Sequence, residues 1–220
     1  MIILTDNQIN SIKQLKPLTD SKFEYNKVRW AKLNPEYSKL IDEFEGEFIS
    51  REDIIDAYAE YYLDKSKGFM KAFLLTMIWG FADIGYGTYR TNKYISNKEN
   101  IKKIKNAIDF IDQNENDSIN NAFEELIKIK GLGVSYLTKI IYFATRAKNV
   151  DNYALIFDIR VASALIKLTT SNEIFEVVTI KPSFKFDKYQ IFNQLIHETA
   201  RNYKVEAEQL EMYLYNQILE

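Results

Sequence analysis

Apolar residues recur every three to four positions along most of the chain, and the breaks in that rhythm mark its corners. SREDIIDAYAEYYLDK, residues 50–65, opens on Ser50 as a helix N-cap with Asp53 three residues later, a capping box in which Asp replaces the usual Glu. GFMKAFLLTMIWGFADIG, residues 68–85, is apolar nearly all round, which predicts a helix at the centre of a bundle, ending in the tight loop GYGTYR. NKENIKKIKNAIDFIDQ predicts an amphipathic helix, NENDS a polar turn, and SINNAFEELIKIK a second helix that runs into GLG at 131–133. Further helices are predicted from Val134 to about Ala147, over FDIRVASALIKL with Phe157 and Asp158 at its entry, over DKYQIFNQLIHETARNYKV, and over EAEQLEMYLYNQIL. KNVDNYA reads as a loop, and Glu173 to Phe186, rich in Ile, Phe, Val and Thr, favours a short strand or extended loop. With three prolines and no internal repeat, the pattern predicts a mainly α fold with room for one short strand pair.

Composition narrows the chemistry. The chain has 220 residues, enough to bury a sizeable core, and its 29 Lys plus Arg against 31 Asp plus Glu leave no global attraction for nucleic acid. Polyanion binding would need a local patch. The absence of Cys and the single His exclude disulfides, Cys-ligated zinc, iron–sulfur clusters and the common histidine triads. The opening MIILTDNQINSIKQL lacks the basic start and apolar core of a signal peptide, and no 18-residue apolar run follows, so a soluble cytoplasmic protein without membrane association is expected.

In LIKIKGLGVSYLTKIIYFA, Leu126, Ile129, Leu132, Leu137, Ile140 and Ile141 anchor two helices about the GLG corner. Gly131 and Gly133 suit backbone conformations that a Cβ opposes, and they leave the first N–H groups of the second helix open to a phosphate. Lys128, Lys130 and Lys139 add positive charge, so the corner reads either as a phosphate-binding hairpin or as a plain glycine-capped turn. Asp158 carries the same two readings, a simple N-cap or a carboxylate fixed for chemistry.

GLG at 131–133, the YFA that ends the following helix, and Asp158 in FDIRVASAL resemble, in that order, the pattern of the helix-hairpin-helix DNA glycosylase superfamily. KAFLLTMIWGFADIGYGTYRTNKYI looks like bacterial proteins described as having an 8-oxoguanine DNA glycosylase fold. The resemblance implies a two-lobed helical bundle: an N-terminal helical segment at 1–67, a glycosylase-like core at 68–168, and C-terminal helices at 169–220 packing back on the first lobe. It implies base excision from DNA, with Asp158 stabilising the sugar cation or activating water, and DNA contacts at Lys130, Gly131, Leu132, Gly133, Val134 and Ser135. It also leaves room for a monovalent cation on the hairpin carbonyls, and implies no other cofactor.

Glycosylases that also nick the strand carry a lysine two residues past the second glycine, where this chain has Ser135. A monofunctional, water-using enzyme is therefore expected. Lys139, one turn further on the same face, is the nearby amine that could substitute, although such a lysine more often meets phosphate or solvent. Trp79, Tyr86, Tyr89 and Arg90 are the candidates for a base pocket, with core packing the stronger reading for Trp79. Arg160 suits a phosphate or a structural ion pair, and His197 a packed helix position. The alternatives to an enzyme are a DNA-binding module with little or no catalysis, part of a bacterial anti-phage complex or another protein assembly, and a helical adaptor with a purely structural hairpin.

Overall fold

The computed structural model describes residues 2–42, 44, 46–82, 84–113, 117–168 and 185–216. It is mainly helical. Four short helices, α1 (Asp6–Gln14), α2 (Pro17–Asp20), α3 (Lys27–Trp30) and α4 (Pro35–Asp42), precede α5 (Arg51–Leu63), α6 (Met70–Phe81) and α7 (Gly87–Ile95). Then come α8 (Lys98–Gln113), α9 (Ser118–Ile127), α10 (Val134–Ala147), α11 (Ile159–Leu168), α12 (Phe186–Tyr203) and α13 (Ala207–Asn216).

The described strands, β1 (Lys22–Glu24) and β2 (Phe48–Ser50), pair antiparallel with Phe23 opposite Ile49. They lie in a stretch whose sequence reads as helical, because three residues are too few to display an alternating pattern. The extended segment expected from Glu173 lies outside the described residues up to 184, and Phe186 begins α12.

Ser50 caps α5 as its sequence predicts: its Oγ accepts from the Asp53 N–H at 3.2 Å while Asp53 Oδ2 accepts from the Ser50 N–H at 2.7 Å. α6 is buried along almost its whole length, as an all-round apolar helix must be. α10 is buried from Leu137 through Thr145 and packs on α5, α6, α8 and α9, which makes it the central helix. GYGTYR departs from the expected loop. Only Gly85 and Tyr86 form a turn, and Gly87 already belongs to α7, packed so closely that a Cβ would come within 2.9 Å of Phe81.

α13 packs on α11 and α12 and reaches back to α1 and α2. Its deepest tie is Glu211, which accepts from Arg51 Nη1 of α5 at 2.9 Å with side chains only 1% and 3% exposed. The guanidinium also lies against the rings of Trp79 and Tyr142, 5.4 Å and 5.0 Å from their centroids. Removing one partner would strand a charge in the core. Glu211→Ala should therefore cost about 3–5 kcal/mol in urea unfolding, whereas Lys65→Ala, which breaks the exposed pair with Asp112, should cost at most about 1 kcal/mol. Equal losses would contradict this ranking.

Candidate active site

A cavity of about 620 Å³ opens where the first turns of α5, α10 and α11 meet the end of α6 and one face of α13. Arg51, Ser135 and Asp158 bring those three helix N-termini to its wall, and their aligned peptide dipoles favour negative charge there.

The wall holds a lysine. Lys139 sits one turn into α10, and helical side chains lean back toward the N-terminus, so its amine returns over Ser135. Nζ donates to Ser135 Oγ at 2.8 Å and to Asp158 Oδ2 at 3.4 Å, and Ser135 Oγ donates to the same carboxylate oxygen at 2.6 Å. The lysine side chain is 7% exposed and the aspartate 17%. Gly80 is what lets the stem pass α6, since a Cβ there would lie 3.1 Å from Lys139 Cδ.

Asp158 uses its two carboxylate oxygens differently. Its carbonyl accepts from the Ala162 N–H at 2.9 Å and Oδ1 from the Arg160 N–H at 3.0 Å, which caps α11. Oδ2 faces the cavity.

Burial opposes ionisation of Asp158, but the Lys139 charge, the Ser135 hydroxyl and the Arg160 amide outweigh it and hold the carboxyl below its usual range. For Lys139 burial is the larger effect and pushes the amine below its usual value, with Asp158 pulling the other way. The result is an ion pair whose cation gives up its proton more readily than a surface lysine does. Beside it stands the buried pair of Arg51 and Glu211, so basic and acidic side chains share the wall.

The corner between α9 and α10 is built differently from its sequence reading. Gly131 has φ +90° and needs glycine, but Gly133 is extended at φ −73°, a Cβ there would meet no neighbour, and the start of α10 has no side-chain cap. Leu132 and Val134 are buried anchors that can offer a ligand only backbone. The three-lysine patch does not form: Lys130 is exposed, Lys128 pairs with Glu125 at 2.6 Å, and Lys139 points into the core. The Gly131 carbonyl accepts from the Tyr94 hydroxyl at 2.8 Å. Among the described residues no cluster of three His, Asp or Glu side chains could hold a metal, and no helix is long and apolar enough to cross a membrane.

Of the pocket candidates, Trp79 lines the cavity, with its indole N–H donating to the Ser21 carbonyl at 3.0 Å. Tyr86 and Tyr89 are 69% and 71% exposed, and with Arg90 they lie outside the lining. Their loop contributes Ile84 instead. Tyr136, Tyr215 and Phe23 supply further rings to the wall. The Arg160 guanidinium lies 4.8 Å from the Tyr215 ring centroid. His197 is packed, its Nε2–H donating to the Tyr153 carbonyl at 2.8 Å, and burial lowers its pKa.

Sequence reasoning missed Arg51 and Glu211. Each carried a signal: an arginine in a first helical turn opposes the dipole, and Glu211 falls on the apolar face of Ala207, Leu210 and Leu214.

A family model described as "Putative 8-oxoguanine DNA glycosylase OGG-like protein" matches residues 16–215. No curated protein and no solved structure matches the chain.

Both shifts make stability rise with pH, each in its own window. Lys139 titrates lower in the folded chain than its ordinary 10.5, so between those values the unfolded chain holds the extra proton and this residue's contribution to stability grows as pH rises. Asp158 contributes fully above its ordinary 3.8 and less as pH falls through its lowered folded value. Asp158→Asn removes the counter-charge and should cost about 3–5 kcal/mol near neutral pH. In urea unfolding its deficit against wild type should shrink as pH rises toward the ordinary lysine value and Lys139 discharges. A deficit independent of pH would contradict the assignment.

Proposed function

The chain belongs to the 8-oxoguanine DNA glycosylase OGG-like family, and from that premise we propose that it removes an oxidised base of the 8-oxoguanine type from DNA, with Lys139 as nucleophile and Asp158 as the charge that serves it. The observation that carries this reading is the Lys139 amine, held 2.8 Å from Ser135 Oγ and 3.4 Å from Asp158 in the wall of a cavity of nucleotide size.

Breaking an N-glycosidic bond builds positive charge on the sugar, which a nearby carboxylate stabilises. An amine that attacks C1′ converts that charge into a covalent link and then a Schiff base. Attack needs the neutral amine, and the desolvated position of Lys139 favours it. The position two residues past Gly133 holds Ser135, but the Lys139 amine arrives at that same place from one turn further along α10. Exposed Lys130 and the uncapped first turn of α10 suit the DNA backbone, and Tyr86 and Tyr89 suit the strand rather than the extruded base. Trp79, Tyr136 and Tyr215 are the rings available to the base.

A water-using route with Asp158 alone is the second reading, favoured by the ion pair that already occupies the Lys139 amine. End-labelled duplexes carrying 8-oxoguanine separate the two. The amine route predicts strand breaks without alkali, lost in Lys139→Gln while gel-shift affinity is kept. Breaks that appear only after hot alkali and survive Lys139→Gln would assign the water route. DNA retained in the gel with no break under either treatment would contradict both and leave a binding module.

A further inference from the structure

Ser135 lies between the amine and the carboxylate, and its two hydrogen bonds have a direction that chemistry dictates. An ammonium can only donate and a carboxylate can only accept, so the Ser135 hydroxyl accepts from Lys139 and donates to Asp158. The legs measure 2.8 Å and 2.6 Å, within the reach that proton transfer needs, whereas the direct path from Nζ to Oδ2 is 3.4 Å. Ser135 holds this geometry because it sits in the first turn of α10, one turn before Lys139 on the same helical face.

We propose that Ser135 is the proton relay that arms Lys139, passing a proton from its ammonium to Asp158 through the serine hydroxyl. This rests on the reading of Lys139 as nucleophile. In the step, one Nζ–H proton moves to Ser135 Oγ as the Ser135 hydroxyl proton moves to Asp158 Oδ2, leaving a neutral amine, an unchanged serine and a neutral carboxyl. The base takes up the proton held by Asp158 as it leaves with the C1′–N bonding pair, so the restored carboxylate faces the sugar cation while the amine electron pair forms the bond to C1′. Nothing is oxidised or reduced, and no co-reactant is required.

The groups facing the relay leave its proton balance internal. Tyr136, whose ring centroid is 5.4 Å from the amine, is pushed up by burial to about 12 and stays protonated. Arg51 keeps its charge, and buried Glu211 is paired to it at 2.9 Å. Near Asp158, Arg160 stacks on Tyr215, itself raised by burial. Between the titration of Asp158 and that of Lys139, transfer within the pair changes no net protonation, so the rate should not follow bulk pH.

Single-turnover release of 8-oxoguanine from a duplex tests this in the wild type, Ser135→Ala and Ser135→Thr across about pH 6 to 9. Wild type and Ser135→Thr should give nearly flat profiles. With enzyme in saturating excess, so that DNA affinity does not enter the rate, Ser135→Ala should be slower by about 10²-fold near neutral pH and recover roughly tenfold per pH unit as solvent removes the proton instead. A Ser135→Ala rate equal to wild type, or lowered by one factor at every pH, would overturn the relay. Base release that survives Lys139→Gln is a different result, and it would overturn the nucleophile reading and the relay together.

Discussion

A cation inside a helical core sets the terms for the rest of the molecule. Lys139 lies on α10, which is packed on four other helices, and its side chain is 7% exposed. Leaving that charge unpaired would cost several kcal/mol. The chain meets this cost with a carboxylate and a hydroxyl, and the meeting of three helix N-termini at the same wall favours the carboxylate's charge. Burial pushes the amine toward its neutral form, while Lys139, Ser135 and the Arg160 amide keep Asp158 ionised.

Most of the architecture serves that arrangement. Gly80 on α6 removes the Cβ that would block the lysine stem, and Trp79 beside it closes the wall. The capped first turn of α5 delivers Arg51, and α13 returns across the fold to supply its partner Glu211. The strand pair joins the wall through Phe23, which packs on Trp79, and Ser21 just before it holds the Trp79 indole. Asp158 ties the helix start to the cavity in one side chain, since one oxygen fixes the start of α11 and the other meets Ser135 and the Lys139 amine.

Helices were legible because their periods are long. α5, α6, α8 and α10 run for 12 to 16 residues, enough for the apolar stripe and the caps to agree. Asp158 was legible too, because a carboxylate interrupts the apolar run ALIFDIRVASAL. What stayed hidden depended on direction. A lysine in VSYLTKIIYF reads either as a substitute amine or as a phosphate-facing or solvent-facing residue until the lean of its side chain toward Ser135 is known. Tyr86 and Tyr89 read as pocket residues from their composition, yet the α7 register turns them outward. The three-residue strands carry too little pattern to be recognised without each other.

The measurement that meets the central claim most directly is peptide mapping by mass spectrometry of protein reduced with borohydride during reaction with an 8-oxoguanine duplex. The account predicts a reduced sugar adduct on the peptide containing Lys139. An adduct on Lys130 or Lys22, or none at all from protein that has released the base, would contradict the assignment of Lys139 as the reacting amine.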